Sequence, residues 1–189
     1  CTGGATSAFQ FISPAGSFSE SGATESRPCP AGFYAPAPAS TQCDSCPPGF
    51  FCSATETVIA RVCDAGLYCP AESTVASRCP VGYFSPTVSA IDNSTCLVCT
   101  PGYYCPETGL PAPAGPCDAG FVCSDRSRVP NPGSVVDLPN KPCPTGHFCP
   151  AASAIETPCP SGTYNPTTRR EAQGDCLSCP AGKYCVTGS

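Results

Sequence analysis

The sequence has few of the residues that build an ordinary globular core. It contains no Trp and no Met, and its Val, Ile, Leu and Phe residues together number 29 of 189, about 15%. This fraction is below the level at which a conventional buried core is expected. The chain therefore needs another source of stability.

Charged residues and long apolar runs are also scarce. Only 12% of the residues are charged, and nine Lys and Arg face fourteen Asp and Glu, a balance that argues against nucleic-acid binding. No stretch approaches the roughly 18 consecutive apolar residues of a membrane span. The chain has no Met, no basic amino-terminal region and no apolar signal core. We therefore expect a mature or excised segment without its targeting sequence.

Residues suited to catalysis are few and scattered. His147 is the single His, and it lies at a variable position of the repeat described below. The carboxylates stand singly, and no Ser-His-Asp set or calcium-loop spacing can be assembled. We expect neither an enzyme nor a bound cofactor or metal.

Cys, Pro and Gly are abundant instead, with 19, 25 and 18 residues. A short phrase typified by CPAGFY occurs nine times, with Gly three residues after the Cys in every copy and an aromatic residue five after it in all but one. Cysteine at this density and regularity forms disulfides in oxidising compartments, so we expect an extracellular protein. The nine copies begin at Cys29, Cys46, Cys63, Cys79, Cys99, Cys117, Cys143, Cys159 and Cys179.

Each residue type of the phrase has a physical role. Pro after Cys suits the first corner of a turn, and Gly can take a positive φ where a side chain would clash. The aromatic ring is expected to lie over the disulfide, and helical periodicity is nearly absent. The sequence therefore predicts a small disulfide-rich fold, an elongated tandem array of turns and short β-hairpins with almost no helix.

The distance to the next cysteine distinguishes two kinds of copy. In six copies the next Cys is six residues on, whereas in the long copies that begin at Cys29, Cys79 and Cys159 it is 14 or 17 residues on. Each long copy leads through a Cys-x-x-Cys step into a short copy. Such steps can hold zinc or carry out redox chemistry, but these join the end of one phrase to the start of the next, and we interpret them as junctions. They are Cys43/Cys46, Cys96/Cys99 and Cys176/Cys179.

The long copies also indicate domain boundaries. We predict an amino-terminal lead at 1–28 and three blocks of repeats at 29–78, 79–158 and 159–189, the second of which contains a Pro-rich spacer at 124–142. The lead is rich in Ser, Gly, Ala and Thr, and we predict either a flexible terminus or a strand that docks on a neighbouring subunit. The residues predicted to dock are Phe9, Phe11 and Ile12.

Cysteine pairing stays open, although parsimony favours local bonds. If each phrase bonds to the next cysteine downstream, nine bridges use every cysteine from Cys29 to Cys185 and leave Cys1 for a bond within a longer chain or to another subunit. Crossed bonds between short copies, such as Cys46 with Cys63, are the alternative. The local pairs are Cys29–Cys43, Cys46–Cys52, Cys63–Cys69, Cys79–Cys96, Cys99–Cys105, Cys117–Cys123, Cys143–Cys149, Cys159–Cys176 and Cys179–Cys185.

The order of the motifs points to a family. CPxGxY with a Cys 14 or 17 residues later, then CxxC and CPxGxY again, resembles the ephrin-receptor-like cysteine-rich repeats, relatives of the tumour-necrosis-factor-receptor modules. The resemblance covers Cys29 to Cys185 and implies an extracellular, elongated, non-catalytic protein with a bond from Cys29 to Cys43. The doubled Cys-Cys and three-bridge pattern of the receptor modules are missing, so their ligand-binding surface is not carried over. Long arrays of such repeats are similar to surface and flagellar-hair proteins of algae and other protists.

The sequence offers one site for N-linked glycan. Asn93-Ser94-Thr95 is the single N-glycosylation sequon, because Pro166 blocks the one at Asn165. It lies in the loop of a long copy, where exposure and glycosylation are expected. Hydroxyls in a proline context, such as those at 85–87, are weaker candidates for O-linked glycan.

Two functions are compatible with these features. The first is a glycosylated subunit or segment of an extracellular filament, stalk or coat, which associates with copies of itself or with other extracellular glycoproteins. The alternative is a ligand-binding or adhesive ectodomain region of a cell-surface receptor. The monotony of the units, and an unpaired Cys1 beside an extendable lead, favour the first. We expect no nucleic-acid partner and no membrane insertion within this segment.

Overall fold

Very short strands make up the regular structure of this chain. The computed structural model describes residues 12–131 and 141–189, in which there is no α-helix. Two single 3-10 turns lie at Asn93–Thr95 and Gln173–Asp175. The strands are β1 Ser17–Phe18, β2 Arg27–Pro28, β3 Phe33–Tyr34, β4 Asp44–Ser45, β5 Phe50–Phe51, β6 Arg61–Val62, β7 Leu67–Tyr68, β8 Ser77–Arg78, β9 Tyr83–Phe84, β10 Leu97–Val98, β11 Tyr103–Tyr104, β12 Gly115–Pro116, β13 Phe121–Val122, β14 Lys141–Pro142, β15 His147–Phe148, β16 Thr157–Pro158, β17 Thr163–Tyr164 and β18 Leu177–Ser178.

Consecutive strands pair two by two. β1 lies beside β2, β3 beside β4, and so on to β17 and β18. The pairs whose register is described are antiparallel, with Phe50 opposite Val62 and Phe51 opposite Arg61 in a typical case. The first strand of a hairpin follows the Gly of one phrase, and the second strand ends at the residue before the Cys of the next. The predicted small disulfide-rich fold of tandem short hairpins with almost no helix is confirmed.

Contacts divide the chain into two compact units. The first comprises Cys1–Asp64, Tyr68–Ser77 and Val88–Asp92, and the second comprises Ala65–Leu67, Arg78–Thr87 and Asn93–Ser189. The repeat blocks, which are defined by cysteine spacing, stay a prediction. In the parts of both units that the structure describes, no helix has the length and apolar character needed to cross a bilayer.

Half-cystines take the place of a core. Of the 17 buried apolar residues in the described ranges, 14 are cysteines, and the others are Ala35, Ala90 and Val122. Aromatic side chains of the hairpins, such as those of Phe51 and Tyr104, are only half-buried. The interior is therefore made of disulfide sulfur and backbone, as the shortage of large apolar residues requires.

A tenth copy of the repeat, without cysteine, lies within the predicted lead. Residues 13–19, SPAGSFS, align with CPAGFYA at 29–35. Ser13 occupies the cysteine position and is fully buried, Gly16 has a φ of +84°, and β1 pairs with β2 as in the other copies. The Ser13 hydroxyl donates to the carbonyl of Ser40 at 3.2 Å. The last part of the lead is thus a regular repeat.

The missing cysteines explain why the sequence analysis did not find this copy. The nine copies found in the sequence all begin with Cys, whereas the copy at 13–19 keeps only the Pro, Gly and aromatic residues of the phrase, at Pro14, Gly16 and Phe18. Those three residues stand in register with the other copies, and a search for them would have revealed it. Hydroxyl groups at Ser13 and Ser19 stand where the short copies have a disulfide.

Candidate functional site: disulfides and glycines that join the copies

Nine disulfides close loops of the chain. Each joins two cysteines of one copy, or a copy and its own loop, with Cα atoms 5.5–6.3 Å apart, within the usual span for such bonds. The two cysteines of each Cys-x-x-Cys step belong to different disulfides. The bonds are Cys29–Cys43, Cys46–Cys52, Cys63–Cys69, Cys79–Cys96, Cys99–Cys105, Cys117–Cys123, Cys143–Cys149, Cys159–Cys176 and Cys179–Cys185, the same pairs that local pairing gives.

The long copies differ from the short ones at the last of their seven positions. Counting the first Cys as position one, position seven is Cys in the short copies but Ala35, Ser85 or Asn165 in the long ones, and all three are buried. Asn165 Nδ2 donates to the carbonyl of His147 at 2.8 Å, and its Oδ1 accepts from the N–H of Thr167 at 3.1 Å. Because position seven has no sulfur, the cysteine at position one bonds to a loop cysteine instead.

The glycine at position four joins each copy to the next through its backbone. In the first unit, Gly32 donates its N–H to the carbonyl of Cys52 at 2.9 Å and accepts from the N–H of Cys46 at 2.8 Å. The first and seventh positions of the following copy thus both form backbone hydrogen bonds with one glycine. The same two bonds, at 2.8–3.0 Å, recur at Gly16 and Gly49 in the first unit and at Gly66, Gly82, Gly102, Gly120, Gly146 and Gly162 in the second.

A second residue with positive φ follows each copy. It stands three or four residues after position seven. In eight of the ten cases its N–H donates to the position-one carbonyl of the preceding copy, as Glu56 does to Cys29 at 3.0 Å. The carbonyl of eight of the ten faces the glycine two copies back: a Cβ added to Gly49 would lie 2.5 Å from the carbonyl oxygen of Ser89. The ten residues are Gly22, Ala39, Glu56, Glu72, Ser89, Gly109, Arg126, Ala152, Arg169 and Gly188.

Sequence reasoning missed this second position because most of its residues are not glycine. The left-handed conformation costs an ordinary L-residue about 1–2 kcal/mol, so glycine is the usual indicator. Here only Gly22, Gly109 and Gly188 have it. Position four is different: glycine occurs there in every copy, and in eight of the ten copies a side chain would meet backbone.

Two arginines at the second position lie over aromatic rings in the second unit. Arg126 lies 5.5 Å from the ring centre of Tyr83, and Arg169 lies 5.3 Å from that of Phe121. Each ring directly follows a position-four glycine. Such exposed cation–π contacts contribute about 0.5–1 kcal/mol each.

Two carboxylates are stabilised in their charged form in the same unit. The hydrogen bond from Lys141 Nζ to Glu156 Oε1, at 2.9 Å, lowers the pKa of Glu156. Asp175 Oδ2 accepts the N–H groups of Ala172 at 3.0 Å and Glu171 at 2.9 Å, and these bonds lower the pKa of Asp175. The first pair links side chains 15 residues apart in sequence, whereas the bonds to Asp175 hold the backbone at the start of the second 3-10 turn.

Two of the predicted site residues, Ile12 and Asn93, are exposed in the structure. Cys1, Phe9 and Phe11 lie outside the described residues, and Ile12 is 59% exposed. Asn93 is exposed at the start of the first 3-10 turn, as a glycan acceptor requires in the finished protein.

Two other candidate residues have structural surroundings. His147 lies in β15 half-buried, with Nδ1 2.9 Å from the carbonyl oxygen of Thr145. Ser85, considered above for O-linked glycan, is fully buried, and its Oγ lies 3.3 Å from the N–H of Thr87. That serine is therefore closed to glycan, because position seven of the repeat faces inward.

The described residues form no metal-binding cluster, and two depressions of their surface are small. In residues 12–131 and 141–189 no group of three or more His, Cys, Asp or Glu side chains is placed to hold a metal ion. Two depressions measure about 240 Å³, beside Phe18 and Arg27, and about 290 Å³, beside Tyr103 and Pro113. Both are below the roughly 300–1,000 Å³ of typical ligand pockets.

The repeated feature is thus a set of backbone and disulfide contacts rather than a constellation of reactive side chains. Disulfides at this density are consistent with an extracellular protein. Comparison of the chain with protein-family models finds no match and comparison with curated proteins finds none, so the likeness to ephrin-receptor-like repeats stays an expectation from the motif.

Proposed function

We propose that this chain is a non-catalytic structural segment of an extracellular filament, stalk or coat, built from disulfide-closed copies and glycosylated at Asn93. The observation that carries the proposal is the pair of backbone hydrogen bonds at nine of the ten position-four glycines, which joins consecutive copies in each unit. Backbone bonds of this kind hold copies in register whatever the outward side chains are. Such contacts between neighbouring copies are expected of a tandem structural array.

Association with other copies of the chain is the second part of the proposal. Phe9, Phe11 and Ile12 are the apolar residues of the amino-terminal segment, and Cys1 is the cysteine left over by the nine disulfides. An extended apolar segment can add a strand to a neighbouring molecule. A leftover cysteine in a secreted protein can fix such a contact covalently.

Electron microscopy and light scattering of the purified, secreted chain test this proposal. We expect ordered polymers, and we expect the double substitution Phe9→Ser and Phe11→Ser to abolish them. Ile155→Ser is the matched control, because that exposed apolar residue lies far along the sequence from the docking segment and should leave polymers intact. A monodisperse monomer for the unchanged chain would contradict the filament.

The second candidate is a ligand-binding or adhesive ectodomain region. It is favoured by well-exposed aliphatic side chains, among them Ile59 at 77% and Val75 at 67% in the first unit and Ile155 at 74% in the second. In each unit, such side chains offer apolar surface to a protein partner. A monomeric chain that retains a soluble partner through these residues, and loses it on their substitution by Ser, would support this candidate over the filament.

A further inference from the structure

The sequon Asn93-Ser94-Thr95 lies in the loop of a long copy, within the second unit. Asn93 and Ser94 are exposed, so the folded surface has room for a glycan. The sequon is followed directly by Cys96, which is bonded to Cys79. The acceptor asparagine is therefore three residues from a disulfide.

The folded loop holds the sequon in a closed turn. Asn93–Thr95 forms a single 3-10 turn, and the carbonyl of Asn93 accepts the N–H of Cys96 at 3.1 Å. Directly after Cys96, Leu97 pairs with Phe84 in the hairpin of β9 and β10. Both the disulfide and the hairpin thus fix the carboxyl side of the sequon.

This turn has the wrong shape for recognition of a sequon. The N-x-S/T pattern requires that one enzyme read the asparagine and a hydroxyl two residues later. In an extended chain, residues i and i+2 point to the same side. In a 3-10 turn of three residues per turn, they are separated by about 240° around the axis, so Asn93 and Thr95 do not present one common face.

Both reactions at this loop are chemically defined. In glycan transfer, Nδ2 of Asn93 attacks the anomeric carbon of a lipid-diphosphate-linked oligosaccharide; a C–N bond forms, the C–O bond to the diphosphate breaks, the amide loses one proton and the lipid diphosphate leaves. In closure of the loop, the thiols of Cys79 and Cys96 give up two protons and two electrons to the disulfide of an oxidoreductase, which is reduced to a dithiol.

We propose that Asn93 accepts glycan only while the Cys79–Cys96 loop is open, so that glycan transfer and disulfide closure compete for this segment. Once the bond has formed, the turn excludes the extended conformation that transfer needs. The proposal rests on passage through a secretory compartment, which is part of the proposed function, but not on polymer formation.

A transfer assay with purified oligosaccharyltransferase and lipid-linked oligosaccharide tests it. The acceptor is the full chain, made with its disulfides in cells whose N-glycosylation is blocked, and compared with the same chain after reduction and alkylation. We expect the reduced chain to be glycosylated at Asn93 at least tenfold faster than the disulfide-bonded chain. Equal rates, or no transfer to the reduced chain, would overturn the proposal.

Paired cysteine variants locate the effect in one loop. Cys79→Ser with Cys96→Ser opens the loop that contains Asn93, whereas Cys159→Ser with Cys176→Ser opens the equivalent loop elsewhere, since both bonds have a sequence separation of 17. The first pair should accelerate transfer and the second should not. Equal acceleration by both pairs would count against the proposal.

The equivalent loop allows the same test at a second place. Gln173–Asp175 forms the other 3-10 turn, and Cys176 N–H donates to the carbonyl of Gln173 at 3.1 Å. Gln173→Asn with Asp175→Thr creates a sequon in the same position relative to its disulfide. The change removes the bonds to Asp175 Oδ2, but the first 3-10 turn forms with Thr95 in the equivalent place. Transfer to it should depend on reduction of Cys159–Cys176, and ready transfer to the closed loop would show that the turn is no barrier.

Discussion

Glycine at position four has a positive φ in every copy, and in most copies it is also required for space. Gly49 has a φ of +83° and Gly162 has the same value. A Cβ added to Gly49 would lie 2.5 Å from the carbonyl oxygen of Ser89, whereas one added to Gly162 would meet nothing within 4 Å. Substitutions at these two residues therefore distinguish the cost of backbone strain from the cost of a steric clash.

We predict that Gly49→Ala destabilises the chain more than Gly162→Ala does. Both substitutions carry the left-handed penalty of about 1–2 kcal/mol, and Gly49→Ala adds an overpacking cost of about 1–3 kcal/mol. Denaturant unfolding with the disulfides intact measures the difference in the free energy of unfolding. Equal losses would mean that the carbonyl of Ser89 moves aside without cost.

Asp175 provides a prediction about pH. Hydrogen bonds from the Ala172 and Glu171 amides lower its pKa, so the carboxylate stabilises the folded turn above the ordinary aspartate pKa of about 3.9. This contribution is lost as the pH falls through the lower, folded value. Amide NMR shifts of Glu171 and Ala172 should titrate together below pH 4, and Asp175→Asn should abolish that titration. Titration of these amides above pH 4 would contradict the assignment.

At the scale of the element, each copy has the same turn and hairpin, with one of two kinds of disulfide or with none. Short copies use a disulfide from position one to position seven, long copies use a loop cysteine, and the copy at 13–19 uses neither. In all three the same glycine bonds to the next copy. The disulfide therefore reinforces a conformation that Pro, Gly and the hairpin already favour.

We predict that the copy at 13–19 can be converted into a short copy. Ser13→Cys with Ser19→Cys should form a tenth disulfide, because the short copies hold Cα atoms at these positions 5.8–6.3 Å apart. Closing so small a loop should stabilise the chain by about 2.4 kcal/mol. Peptide mapping without reduction detects the bond, and each single substitution serves as a control. Failure of the pair to oxidise would show that Ser13 and Ser19 are not equivalent to the cysteines.

At the scale of the whole molecule, stability depends on covalent bonds that lie inside copies and on hydrogen bonds between them. The nine disulfides use 18 of the 19 cysteines and leave Cys1. With so few large apolar residues, no hydrophobic core can replace them. The oxidised state of the cysteines is therefore a condition for the fold.

We predict that the untreated, denatured protein has at most one free thiol per chain. Alkylation followed by mass spectrometry, before and after reduction, counts the thiols. A value of one assigns the free thiol to Cys1, and a value of zero with a chain that runs as a dimer without reductant assigns Cys1 to a bond between subunits. Several free thiols would contradict the disulfide-closed fold.

The sequence by itself determined the type of unit and favoured local disulfides over crossed ones. Cysteine spacing made local pairing the scheme that uses every cysteine from Cys29 to Cys185. Pro and Gly at fixed places in the phrase predicted tight turns, because Pro restricts the backbone angle φ and Gly allows positive values of it. The copy at 13–19 escaped notice because its serines at Ser13 and Ser19 lack the sulfur that marked the others.

Only the tertiary structure decided how one copy meets the next. The second positive-φ position, occupied by residues as unlike as Glu56 and Arg169, is imposed by backbone bonds between copies and has no local preference to reveal it. Likewise, Asn165 and Ser85 look like surface residues in sequence, but position seven is buried in every copy that begins with Cys. Contacts between distant backbone groups leave no mark on residue type unless a side chain would obstruct them, as at the glycines of position four.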